Sequence, residues 1–165
     1  MALLEKYSSS GNYQRMPHVL RYAIPLLFIA NLQAQTAGLQ PFTSDGCSMF
    51  PNGSTHQEEL WLDCCQAHDA AYWAGGTLDQ RDNADQTLRA CVASKGETTI
   101  SWLMLAGVNL GGSPFWPTSF RWGFGWPYLR GYQELSATEI RDIQKGWPTN
   151  IDLPAYLQPT QEPTP

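Results

Sequence analysis

The sequence predicts a mainly α-helical, disulfide-stapled domain: two antiparallel, disulfide-linked helices followed by an extra aromatic-rich C-terminal region. Three observations point there. Two stretches with apolar residues at helical spacing each begin at a capping box and are separated by a Gly-Gly-Thr turn. Four cysteines, Cys47, Cys64, Cys65 and Cys91, fall within one short region. Of the 165 residues, 42% are hydrophobic, 12% aromatic and only 15% charged, a composition that excludes a wholly disordered chain and suits one core. The net charge of -5, with no basic run, argues against nucleic acid as a partner.

Residues 1–34 read as a signal peptide or N-terminal leader. Arg15, His18 and Arg21 precede an apolar run from Tyr22 to Ala30. The run contains Pro25 and falls short of the about 20 apolar residues that a spanning helix needs, so export fits better than a permanent anchor. An alternative start at Met16 would give a shorter leader of the same kind. Export to a secreted, periplasmic or envelope location makes the four cysteines two disulfides. Without residues 1–34 the chain loses three of its ten basic residues (Lys6, Arg15, Arg21) and one of its fifteen acidic residues (Glu5), which leaves a net charge of -7.

A main domain is expected over 35–153. It starts with a loop of Gly, Pro, Ser and Asn from Gly38 to Ser54. A first helix is expected to open at the capping box Thr55-His-Gln-Glu58 and to close at Gly75-Gly76, with Leu60, Trp61, Cys64, Cys65, His68, Ala71 and Tyr72 on one face. That face is apolar except for His68. A second helix opens at the capping box Thr77-Leu-Asp-Gln80 and carries Ala84, Asp85, Leu88, Cys91 and Val92 before ending near Gly96. An apolar third helix follows from Thr98. Aromatic and small or charged residues then alternate from Phe120 to Tyr128, which predicts an extended segment with its rings on one side. Those rings either pack into the core or form an interfacial patch on lipid. Ser136-Ala-Thr-Glu139 starts a short helix, and residues 154–165, rich in Pro, Thr and Gln, read as a disordered tail.

The short turn makes the first two helices antiparallel, so residues that face each other have nearly constant position sums. Cys64 with Cys91 and Ala71 with Ala84 both sum to 155, and His68 with Asp85 sums to 153. Pairing the vicinal Cys64 and Cys65 is strained, and of the two remaining connectivities this register favours Cys64–Cys91 with Cys65–Cys47. A His facing an Asp on a buried face is what general-base catalysis needs, because the carboxylate fixes the tautomer and stabilises the imidazolium. Asp69, about 100 degrees round the helix, is free to act with carbonyls of the loop Asp45–Gly53 on a hard cation such as calcium. Zinc on Cys64, Cys65, His68 and Asp69 is an alternative for which adjacent cysteines are awkward tetrahedral ligands. His56 reads as an exposed residue.

Cys64-Cys65-Gln-Ala-His68-Asp69-Ala-Ala71-Tyr72, followed by Asp85 and then Cys91, resembles the active-site signature of the secreted phospholipase A2 family, in a bacterial-type variant with a divergent calcium loop. The resemblance covers 45–91, under a third of the chain. It implies a phospholipase A2-like fold and calcium-dependent hydrolysis of the sn-2 ester of glycerophospholipids at a phospholipid or membrane surface. His68 would activate water, Asp85 would orient His68, and Tyr72 would hydrogen-bond Asp85. Asp69 would be the bidentate calcium ligand, with loop carbonyls from Gly46, Ser48 and Phe50, and calcium and an amide near Ser48 would hold the oxyanion. This chain departs from the family pattern in three ways. Ala71 and Ala84 replace both ends of one disulfide, Ser48–Gly53 is bulkier than the family's Gly-rich run, and nothing after Gly96 has a counterpart. Two further readings are a non-catalytic lipid- or protein-binding module on the same scaffold, and an envelope factor whose aromatic segment binds a partner.

Overall fold

A computed structural model describes residues 38–158; the leader assigned to 1–34 and the last part of the tail, 159–165, lie outside the described residues. The described chain is mainly helical, with four α-helices, a closing 3-10 turn and no strand among the described residues: α1 Leu62–Ala74, α2 Leu78–Ser94, α3 Thr98–Gly111, α4 Ala137–Gly146 and the turn Ala155–Leu157.

The α1 helix starts later than the box at Thr55 predicts. Ser54, one residue earlier, takes the capping role through its hydroxyl, which accepts from the Gln57 amide at 3.1 Å. The chain then makes i to i+3 bonds, Leu60 to Gln57 and Leu62 to Glu59, while the Trp61 amide turns to the Asn52 carbonyl and the Trp61 indole donates to Pro51 at 2.7 Å. Residues 55–61 are therefore turns held to the preceding loop. At the other end Gly75, at a φ of 70° that disfavours side chains, closes α1 with its amide on the Ala71 carbonyl.

The α2 helix begins as expected, with the Thr77 hydroxyl accepting from the Gln80 amide at 3.2 Å and the Gln80 side chain accepting from the Thr77 amide at 2.8 Å. The disulfides are Cys64–Cys91, which ties α1 to α2, and Cys47–Cys65, which ties the loop to α1. The α3 helix packs along α2 through Ser101, Met104 and Leu105 and starts at Thr98 as its composition predicts.

The aromatic segment is not extended, and its rings do not share a side. Trp122 and Trp126 are buried, while Tyr128 is 51% exposed. Residues 119–129 coil in turns because they cap the end of α1, whose last carbonyls have no partner within the helix. The Gly123 amide donates to Tyr72, the Gly125 amide to Trp73, and the Trp126 indole to Ala74 at 2.7 Å; the Trp122 indole reaches the Gly76 carbonyl just beyond. Only glycine fits at 125, because a Cβ there would lie 2.5 Å from Trp73 Cδ1. The alternation of rings and glycines thus reflects two indoles and two bare amides directed at one helix end.

A second core gathers Trp73, Ala74, Trp126, Ile143 and Leu157. Leu157 is fully buried, so the chain stays ordered through Gln158 and the expected disordered tail does not begin at Pro154. The α4 helix starts at the Ser136 capping box, and its Glu139 pairs with Arg130 at 2.8 Å. The Arg130 hydrogen bond, working against burial and joined by Ser136, holds the Glu139 carboxyl down to about 2 from an ordinary 4.5. A depressed folded-state pKa gives stability that is full above about 4.5 and lost as pH falls towards about 2. Glu139→Gln is expected to destabilise the fold at pH 7 by about 1 kcal/mol, discounted for partial exposure. In urea melts its deficit against wild type should shrink between pH 4.5 and pH 2; a pH-independent deficit would assign the loss to packing.

Candidate functional site

The antiparallel register sets the site. His68 and Tyr72 lie one turn apart on α1, and Asp85 faces them from α2. His68 Nε2 lies 2.8 Å from Asp85 Oδ1, and the Tyr72 hydroxyl donates to the same oxygen at 2.7 Å. An ionised carboxylate only accepts, so Nε2 donates to it, and in the neutral ring Nδ1 then keeps its lone pair. No described residue hydrogen-bonds Nδ1. His68 is 9% exposed and Asp85 1%, so the pair has little water to compete with it. The Tyr72 ring lies 4.2 Å from the His68 ring and meets Trp122 edge-on, which fixes its hydroxyl. Burial, followed by the Asp85 charge, pushes the Tyr72 hydroxyl well above its ordinary pKa, so it remains a donor.

Gly112, just past α3, lets Tyr72 sit there, since any Cβ would collide with the Tyr72 hydroxyl. This contact and three other parts of the site are absent from the sequence reading. Arg81 is buried beside Tyr72 and lies 3.7 Å from Asp85 Oδ2. Ser44 donates to Asp69 at 2.6 Å, and α3 forms one wall of the site. Arg81 was open to inference, because four residues before Asp85 on a helix is the same face.

His68, Asp69 and Tyr72 line a cavity of about 320 Å³ together with Gly46, Ser48, Met49 and Phe50 of the loop, Leu103, Met104, Gly107 and Val108 of α3, and Phe120. Its lining is mostly apolar apart from the end that holds His68 and Asp69. Of the lining residues, Met49, at φ 62°, is 92% exposed, and Leu103 is more than half exposed. A second cavity of about 180 Å³ is also lined by Asp69, together with Ser44, Asp45, Ser48, Ser119, Phe120 and Phe124 among others.

Asp69 has the properties of a carboxylate without its counter-charge. Burial pushes its carboxyl up to about 7, with the Ser44 hydrogen bond pulling it down and the Asp45 charge adding to the rise. The carbonyls of Gly46, Ser48 and Phe50 accept no hydrogen bond from any described residue, although the loop is otherwise bonded: Cys47 amide to Asn52 Oδ1 at 2.9 Å, Phe50 amide to the Cys47 carbonyl at 2.7 Å, and Ser48 hydroxyl to Asp45 at 2.7 Å. Asp69 and the three residues that carry these unengaged carbonyls line one cavity, and oxygen donors of this kind are what a hard cation takes. Zinc on Cys64 and Cys65 does not fit, because both sulfurs are in disulfides and cannot act as thiolates. The same holds for the grouping of Asp63, Cys64 and Cys91, whose sulfurs are bonded to each other. His56 is exposed and outside the site.

No family model, curated protein or solved structure matches the chain. Among the described residues no helix is long and apolar enough to cross a membrane.

Proposed function

We propose that this chain is an exported, calcium-dependent hydrolase of the phospholipase A2 type, acting on the sn-2 ester of glycerophospholipids. The observation that carries the reading is the buried His68–Asp85 pair, with Nε2 engaged and Nδ1 without a partner among the described residues, whose His68 lines a mostly apolar cavity with Asp69 and the loop residues Gly46, Ser48 and Phe50. In the reaction His68 Nδ1 accepts a proton from water as the water oxygen bonds the ester carbonyl carbon. Asp85 stabilises the resulting imidazolium, and Tyr72 keeps Asp85 in place. His68 then returns that proton to the leaving alkoxide, so a fatty acid and a lysophospholipid depart and no acyl-enzyme forms. Asp69 and the carbonyls of Gly46, Ser48 and Phe50 would hold calcium, which would supply Lewis-acid activation of the ester. The apolar walls of the cavity suit an acyl chain.

Export is supported by two disulfides and no free cysteine among the described residues, which fits an oxidising compartment. With few basic residues, contact with a lipid surface would rely on apolar and aromatic side chains such as Met49, Leu103 and Trp102. The same apolar mouth favours a second reading, a non-catalytic lipid-binding module.

Fatty-acid release from mixed phospholipid vesicles across a calcium series separates the two. The enzyme reading expects calcium-dependent release by wild type. It also expects Asp69→Asn to weaken calcium binding at least tenfold by calorimetry, since one charged ligand of a hard-cation site is lost. Release by wild type no greater than by Asp69→Asn at any calcium level would leave the binding module as the reading.

A further inference from the structure

The geometry points to Arg81 as a positioning residue that sets the direction of the hydrogen bonds converging on Asp85 and so leaves the His68 lone pair on Nδ1. This inference rests on His68 being the general base. The Arg81 guanidinium is 7% exposed, and its nitrogens are all engaged. Its Nε donates to the Tyr72 hydroxyl at 3.1 Å and Nη1 to the Tyr132 hydroxyl at 2.7 Å, while Nη2 donates to the carbonyls of Val108 at 2.9 Å and Asn109 at 3.1 Å.

A guanidinium has only donors, and a phenol has one hydrogen. Because Tyr72 must accept from Arg81, its own hydrogen has one remaining use, which is Asp85 Oδ1 at 2.7 Å. Asp85 Oδ1 therefore receives Tyr72 from one side and His68 Nε2 from the other. The other oxygen, Oδ2, is buried with no hydrogen-bond partner among the described residues, and the nearest positive charge is Arg81 at 3.7 Å. Two donors on Oδ1 hold the carboxylate turned towards the ring, and a carboxylate that accepts from Nε2 selects the Nε2–H form. If Arg81 is removed, Tyr72 is free to turn its hydrogen away from Asp85, Oδ2 loses the neighbouring guanidinium, and an Asp85 held by one donor fewer no longer fixes the ring in the Nε2–H form. One of the two α3 carbonyls held by Arg81 belongs to Val108, which lines the cavity, so the same side chain ties the base to the wall that would hold an acyl chain.

The test is ring-nitrogen NMR of His68 at about pH 8.5, where free imidazole is neutral, together with kinetics on a short-chain soluble phospholipid. Wild type should show the Nε2–H form. Arg81→Met should show a substantial Nδ1–H population, with kcat lower by about 10- to 100-fold and KM within a factor of about three. Arg81→Lys keeps the charge but cannot make four bonds at once, so it should recover the Nε2–H form in large part. Tyr72→Phe removes the relay alone and should shift the population less than Arg81→Met; it carries the test if Arg81→Met does not fold. A ring in the Nε2–H form in every folded variant would overturn the inference. Failure of wild type to hydrolyse any ester would remove the enzyme reading but leave the NMR result to decide what Arg81 does.

Discussion

Replacing His68 by Gln should leave a folded protein whose kcat for calcium-dependent fatty-acid release is about 10²–10⁴ lower than wild type. Gln is close in size to the imidazole and its amide can still donate to Asp85 Oδ1, so the buried carboxylate keeps a partner and the fold should hold. What it lacks is a basic nitrogen at the position of Nδ1. Asp85→Asn should cause a loss of similar order by a different route, since an amide donor facing Nε2 favours the wrong tautomer. The two losses should not add, because both remove the same activated water, and a double variant should be no worse than the poorer single one. Calcium binding should be unchanged in His68→Gln, which separates loss of the base from loss of the metal. Retention of kcat within tenfold of wild type, in a protein shown folded by circular dichroism, would remove His68 from the role of base.

The second large effect falls on stability. Converting both Cys64 and Cys91 to Ala releases a cross-link with a sequence separation of 27, for which loop-closure entropy predicts a loss of about 3–4 kcal/mol. Against a typical total of about 5–15 kcal/mol this is a large share. It should appear as a fall in Tm of roughly 10–20 °C for a domain of this size. Cys64 is one turn before His68 on α1, and Cys91 lies beyond Asp85 on α2, so the cross-link also holds the α1–α2 register on which the pair depends. Removing the Cys47–Cys65 link, with separation 18, should cost slightly less stability but free the loop that lines the cavity with Asp69. Urea melts of the two double variants, each compared with wild type, give both numbers. A loss under 1 kcal/mol for Cys64 and Cys91 together would mean that packing, and not the cross-link, holds α1 against α2.

The parts of the site that were legible share a physical property: they depend on residues a few positions apart or on one short turn. The α2 and α4 capping boxes lie where the Ser/Thr and Glu/Gln spacing indicates, because a cap is satisfied within its own first turn. The α1 box at Thr55 does not form; instead the Ser54 hydroxyl takes the Gln57 amide and the Asn52 carbonyl takes the Trp61 amide, which holds the segment in turns. The disulfide pairing and the His68–Asp85 contact could be inferred from position sums, because a Gly-Gly-Thr turn allows two helices little choice of register.

The aromatic segment shows where such inference ends. Alternation of rings with small residues describes an extended strand equally well, and nothing local says that Trp126 must satisfy Ala74, 52 positions earlier. Arg81 is similar: its place on the Asp85 face follows from the sequence, but its bonds to Tyr132 and to the carbonyls of Val108 and Asn109 need α3 and the coil beyond it to have folded back. Leu157, in a stretch whose composition suggests disorder, is buried in the core with Trp73 and Ile143, a contact between segments far apart in the chain.

Sequence alone therefore determined the helical class, the two cross-links and the facing His and Asp, since helix periodicity, caps and a short turn are local constraints that act whatever the rest of the chain does. Tertiary structure decided how α1 is capped, what holds Asp85 in place and which side chains wall the cavity. The cap on the end of α1, the Tyr132 and α3 contacts of Arg81 and the cavity walls join segments tens of residues apart, which come together through burial that no local pattern encodes.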